Sequence, residues 1–139
     1  MKHFVITVAI RDEPGALALV SRQLADWHIN LKGVVADPSG MRFLTDDHEA
    51  ISKALDEVGF LYRVAEVQQV VLDDRPGALA ALCSRLAYAG INIESVFGVA
   101  SGHAGHVFIE VSDWERAAPI LDTFSMGPTV VHSRLGRIA

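Results

Sequence analysis

One hexapeptide pattern constrains this chain more than any other feature, because it occurs twice in the same context. Asp12-Glu13-Pro14-Gly15-Ala16-Leu17 closes an apolar alternating run and opens an apolar-periodic one. Sixty-two residues later Asp74-Arg75-Pro76-Gly77-Ala78-Leu79 does the same. The correspondence continues at the same offset, with Leu24-Ala25 matched by Leu86-Ala87 and Ile29-Asn30 by Ile91-Asn92. Self-similarity at a fixed period is the mark of an internal duplication. The 139 residues therefore divide into two units, 1–66 and 67–139. Units of this size bury only about 60% of their unfolded surface and need to share an interface to be stable.

The period of the apolar residues assigns the elements. Residues 3–10 place Phe4, Ile6, Val8 and Ile10 on one face and Val5 and Ala9 on the other, a strand covered on both sides. From Gly15 to Trp27 the stripe Leu17, Val20, Leu24 and Trp27 predicts a helix, mirrored by Leu79, Leu82, Leu86 and Ala89. Gly90 supplies the left-handed residue that commonly ends a helix. His28 stands at that place in the first copy, where it either bears a cost of about 1 kcal/mol or ends the helix differently.

A strand over 29–36, the turn Asp37-Pro38-Ser39-Gly40 and a strand over 41–45 follow. Asp46-x-x-Glu49 then reads as a capping box for a helix buried through Ile51, Ala54, Leu55 and Val58 and closed by Gly59. Ser112-x-x-Glu115 and the stripe Ala117, Ile120, Leu121 and Phe124 repeat it at an offset of 66 residues. The added residues are most simply placed in the turn 100–105. Pro119 inside the last helix predicts a kink or a late start there. The strand 60–72 runs from one copy into the other without a linker, with the boundary near Glu66, and a last strand is expected at 129–133 before a short basic tail. Each copy is thus βαββαβ, the order of a ferredoxin-like unit with an antiparallel sheet and two helices on one face, an α+β fold. Val5 and Ala9 imply that the bare face of the sheet is covered.

The repeated turn admits two chemical readings. A helix start leaves about four N–H groups unpaired at the positive end of the helix dipole, so an anion is accommodated there. A glycine beside it permits close approach, and proline sets φ without using a donor. A zwitterionic amino acid suits that place, with its carboxylate on the N–H groups and its ammonium on Asn30 or Asn92, or on Asp12 or Asp74. The other reading is structural, with the aspartate itself capping the helix.

Asp-x-Pro-Gly-Ala-Leu, an amphipathic helix and then Ile-Asn, within a βαββαβ unit, resembles the ACT domain. Two copies spanning the chain make it similar to stand-alone tandem ACT proteins. The resemblance implies a regulatory, allosteric module that binds a free L-amino acid or similar small zwitterion at interfaces between ACT domains. The site residues it implies are Asp12, Glu13, Pro14, Gly15, Ala16, Leu17 and Asn30, and Asp74, Arg75, Pro76, Gly77, Ala78, Leu79 and Asn92. An assembly module without a ligand is the alternative. Two small units with a bare sheet face also favour a homodimer, a monomer with side-by-side sheets being the other possibility.

Other function classes find little support. Net charge −5 and a pI near 5.6 leave no basic footprint for nucleic acid or a membrane surface. No apolar run reaches the roughly 20 residues of a membrane span, and the start carries no signal-peptide pattern, so a cytoplasmic protein is expected. Cys83, the single cysteine, reads as a small buried hydrophobe rather than a reactive thiol. His103-x-x-His106 reads as a pair of exposed hairpin histidines rather than half a metal site. No cofactor, metal or catalytic constellation is called for, and no enzyme is expected.

Overall fold

The computed structural model describes residues 3–124. Its elements follow in the order β1 (His3–Val8), α1 (Ala16–Asp26), β2 (Gly33–Asp37), β3 (Gly40–Thr45), α2 (His48–Val58), β4 (Tyr62–Asp73), α3 (Ala78–Tyr88), β5 (Ile93–Ser101), β6 (Ala104–Val111) and α4 (Trp114–Phe124). They fall into two compact units, unit 1 up to Glu66 and unit 2 from Val67. The strand order is β2-β3-β1-β4 in unit 1 and β4-β6-β5 in unit 2, so β4 belongs to both. All described ladders are antiparallel, and the architecture is that of two ferredoxin-like units. The strand expected at 129–133 and the basic tail lie outside the described residues.

Each unit has its own apolar core between helices and sheet. In unit 1, Ile6, Val8 and Phe43 from the sheet meet Val20 and Leu24 of α1 and Ile51 and Leu55 of α2. In unit 2, Val70, Leu72 and Ile109 meet Leu82 and Leu86 of α3 and Ala117 and Leu121 of α4. Burying one such leucine contributes about 1.5–3 kcal/mol. The helix stripes are narrower than the periodicity predicts. Leu17 and Leu79 are 43% and 45% exposed, and Trp27 and Val58 are also exposed. On the opposite sheet face Val5 and Leu44 of unit 1 are buried, as are Val71 and Phe108 of unit 2. Ala9, the other residue expected on that covered face, is exposed and lies beyond the end of β1.

Several boundaries depart from expectation for identifiable reasons. The cap of α2 is Asp47, whose carboxylate accepts from the Ala50 N–H at 3.2 Å. Asp46 instead pairs with Lys32 at 2.7 Å. That hydrogen bond holds the Asp46 carboxyl below the ordinary aspartate range, with modest desolvation acting against it. The same one-residue displacement occurs in unit 2, where Asp113 accepts from the Arg116 N–H at 3.2 Å. There Ser112 accepts from the Asn92 N–H at 3.0 Å. The added residues of unit 2 lengthen the strands and not the turn. Asp37 pairs with Gly40 and Ser101 with Ala104, leaving two-residue turns in both hairpins. Gly102, at φ 65°, takes the first central position of the second turn, as type II′ requires. α4 runs through Pro119 from Trp114, so a late start does not occur, and the ring faces solvent.

The two histidines expected on the hairpin surface separate. His103 is exposed in the turn, whereas His106 lies within β6 at 1% exposure. The ladder continues two residues closer to the turn than the glycine-rich sequence suggests, and this draws His106 into the sheet. Cys83 is half-buried rather than fully enclosed.

Candidate functional site

The two repeated segments fold alike. Ala16 N–H donates to Glu13 O at 3.3 Å, and Ala78 N–H to Arg75 O at 3.3 Å. Each closes a four-residue turn with proline at its second position and glycine at its third. Gly15 has φ 89° and ψ −13°, and Gly77 has φ 90° and ψ −14°. This is a type II turn, whose third position demands positive φ and whose second is favourable to proline. Pro14 and Pro76 are therefore turn residues, not the first residues of a helix, because the helices begin only at Ala16 and Ala78. A Cβ on either glycine meets nothing within 4 Å. Backbone handedness, not crowding by the protein, is what requires glycine there.

Neither helix start has a side-chain cap, so Asp12 and Asp74 do not cap the free N–H groups. Leu19 N–H reaches Gly15 O at 3.0 Å and Ala81 N–H reaches Gly77 O at 2.9 Å. Between the turn bond and these helical bonds, the N–H groups of Leu17 and Ala18, and of Leu79 and Ala80, have no protein acceptor among the described residues. Asp12, Glu13, Pro14 and Gly15 are exposed, as are Asp74, Arg75, Pro76 and Gly77, while Ala16 is half-buried and Ala78 buried.

Asn30 and Asn92 are exposed, but the topology sends them away from the turn of their own unit. Leu44 of β3 pairs with both Val5 and Gly33, so β1 and β2 run parallel and begin at the same end. Asn30 precedes that end, and Asp12 to Leu17 follow the other. The 11 residues of α1, about 16 Å at 1.5 Å per residue, run between them. Unit 2 makes the separation explicit. Asp74 N–H donates to His103 O at 3.0 Å before β6, and Asn92 bonds to Ser112 after it. The eight residues of β6 amount to about 27 Å of strand. Within one unit the predicted asparagine and the predicted turn do not meet, because an 11-residue helix returns the chain to the start of the sheet. Asn30 also stands three residues ahead of β2 instead of opening it.

Beside the first turn lies an open pocket of about 290 Å³. Its apolar wall is formed by Ala9, Ile10, Ala16, Leu19 and Phe60, and Arg11 and Glu13 also line it. Only Glu13 and Ala16 of these are among the residues the sequence singles out. Ile10 carries a signal, as the last apolar residue of the alternating run. Phe60 carries none, since it reaches this place only through α2 and the left-handed Gly59 that ends it. The Ala9 N–H bond to Leu61 O at 3.0 Å holds the two segments together.

Among the described residues no helix is long and apolar enough to cross a membrane. No family model matches the chain, and no curated protein matches it. Solved structures do match. A protein from Bacteroides thetaiotaomicron superposes with a TM-score of 0.74 at 24% identity, over 87% of this chain and 86% of that one. The regulatory subunit of aspartate kinase from Thermus flavus gives 0.64 at 22% identity, over 88% and 91% of the two chains. Its ligand-free counterpart from Thermus thermophilus gives 0.60 at 24%, over 88% and 89%. At these identities the likeness is one of fold alone, that of two ferredoxin-like units in one chain.

Proposed function

We propose that the chain is a regulatory protein without catalytic activity of its own, which binds a free L-amino acid or similar small zwitterion at interfaces between ACT units. The observation that carries this reading is the turn that occurs twice with the same backbone angles. Each copy leaves two N–H groups for an anion at the positive end of a helix. That neighbours with this fold are regulatory subunits of aspartate kinase supports a regulatory role. Since Asn30 and Asn92 lie far from the turns of their own units, a site using both elements takes its turn from one ACT unit and its asparagine from another. Ligand then stabilises the arrangement that brings them together.

A thermal-shift screen of the twenty amino acids on ligand-free protein tests this. One or a few raise Tm, by an amount that grows as the ligand passes its Kd and reaches about 2.7 kcal/mol of stabilisation at a hundredfold excess over it. Asn92→Ala or Asn30→Ala, at exposed positions, lowers that rise while leaving the ligand-free Tm in place. A flat response to all twenty amino acids removes the proposal.

A second copy of the chain is the partner we infer. Among the described residues β5 pairs only with β6, and Val96, Gly98, Val99 and Ala100 on it are exposed. An apolar edge without lysine or proline is a template for another strand. Val99→Lys shifts sedimentation from dimer to monomer if β5 is the contact. A wild-type monomer at all concentrations excludes the homodimer.

A further inference from the structure

We propose that the ligand's side chain is apolar and uncharged, and that it enters the pocket beside the first turn. The inference rests on the amino-acid-binding reading above, and it adds the chemical class of the ligand. Three observations lead to it.

The first is size. A space of about 290 Å³ lies at the small end of ligand pockets, below drug-sized or nucleotide-sized sites. It suits a metabolite whose side chain is a few carbons long.

The second is the wall. Ile10, Ala16, Leu19 and Phe60 present carbon to the space, and Leu19 leaves 60% of its surface in water. An apolar group placed there removes surface from water on both sides of the contact. A charged side chain would shed its hydration against that wall. The two charged lining residues, Arg11 and Glu13, have opposite signs and are both exposed, so together they add no net charge that favours an acidic group over a basic one.

The third is adjacency. Ala16 lines the pocket and is also the first residue of α1, immediately before the unpaired N–H groups of Leu17 and Ala18. One small molecule can therefore place a carboxylate on the helix start and a carbon side chain in the pocket. Valine, leucine, isoleucine and methionine have that form.

The experiment compares these four with aspartate, glutamate, lysine and arginine on ligand-free protein, by thermal shift and by calorimetric titration. One or more of the apolar four bind and the charged four do not. Leu19→Glu weakens the apolar ligand by about tenfold or more, because an ionised group then replaces part of the apolar wall. Leu19→Ala, with an unchanged circular dichroism spectrum, weakens it by less. Binding of a charged amino acid in place of the apolar ones overturns this inference and leaves the amino-acid reading standing. So does apolar binding that Leu19→Glu does not change. Silence from all twenty amino acids overturns both.

Discussion

Units 1 and 2 share the backbone of their turns and differ in the side chains that stabilise the helices that follow them. The two glycine turns agree within about one degree in both backbone angles. Their helices then end in the same hydrogen-bond pattern through different residues. His28 N–H bonds Ala25 O and Ile29 N–H bonds Leu24 O, while Gly90 N–H bonds Ala87 O and Ile91 N–H bonds Leu86 O. That is a Schellman motif in both, with a left-handed residue at its centre. His28 adopts φ 53° where Gly90 adopts φ 72°, so of the two alternatives open to it the histidine takes the strained one.

The helix pairs are braced differently too. In unit 1 Glu57 accepts from Gln23 at 2.8 Å and from the Trp27 indole at 2.7 Å, which links α2 to α1. Thr123, at the corresponding place in unit 2, donates back to Ile120 O of its own helix. There Arg116 donates to the Ala89 carbonyl. Backbone geometry at the turn is thus held fixed while the means of stabilising the helices around it varies. A fold requirement of that kind tolerates substitution wherever another hydrogen bond can replace the first, and at a cost even where handedness is at stake, as His28 in the place of Gly90 illustrates.

The comparison can be broken most severely in the cores. Leu24→Ala and Leu86→Ala remove equivalent side chains that are both fully buried, and each costs about 2–5 kcal/mol in urea unfolding. A large inequality between them would show that the two cores do not pack equivalently. Next in size, Gly15→Val and Gly77→Val force a β-branched residue to positive φ, at about 1–3 kcal/mol each. Equal losses are expected, since the angles are equal; a neutral result at either site would refute the shared turn. These variants also unfold the turn they probe, which is why the asparagines and Leu19 serve better for binding. The smallest effect sharpens the contrast at the helix ends. His28→Gly stabilises by up to about 1 kcal/mol and Gly90→His destabilises by a similar amount. Two effects of the same sign would show that left-handed strain does not set the difference.

Much of this was legible in the residues because it depends on local rules. Alternation marked β1, the three-four spacing marked the helices, and the repeated Pro-Gly marked the turns. What escaped depends on competition or on distance along the chain. Asp46 and Asp47 are adjacent and chemically alike, and the first pairs with Lys32 across the loop while the second caps the helix. An offset between repeats counts added residues without saying whether they extend strands or swell a turn, and the pairing of Ser101 with Ala104 puts them in the strands. The asparagines stood near the turn in a sequence pattern, yet a helix of 11 residues must carry the chain from one end of the sheet to the other. The pocket assembles Ile10, Leu19 and Phe60 from three separate segments, and no spacing rule connects them.

The strand shared by both units has a practical consequence for anyone who wishes to take the molecule apart. β4 spans 12 residues, and the boundary between units falls inside it, after Glu66. A cut there severs a strand instead of a linker. Either half expressed alone keeps a stump of five or seven residues of β4. The duplication can be read in the sequence as two parts, but the polypeptide offers no seam at which to separate them.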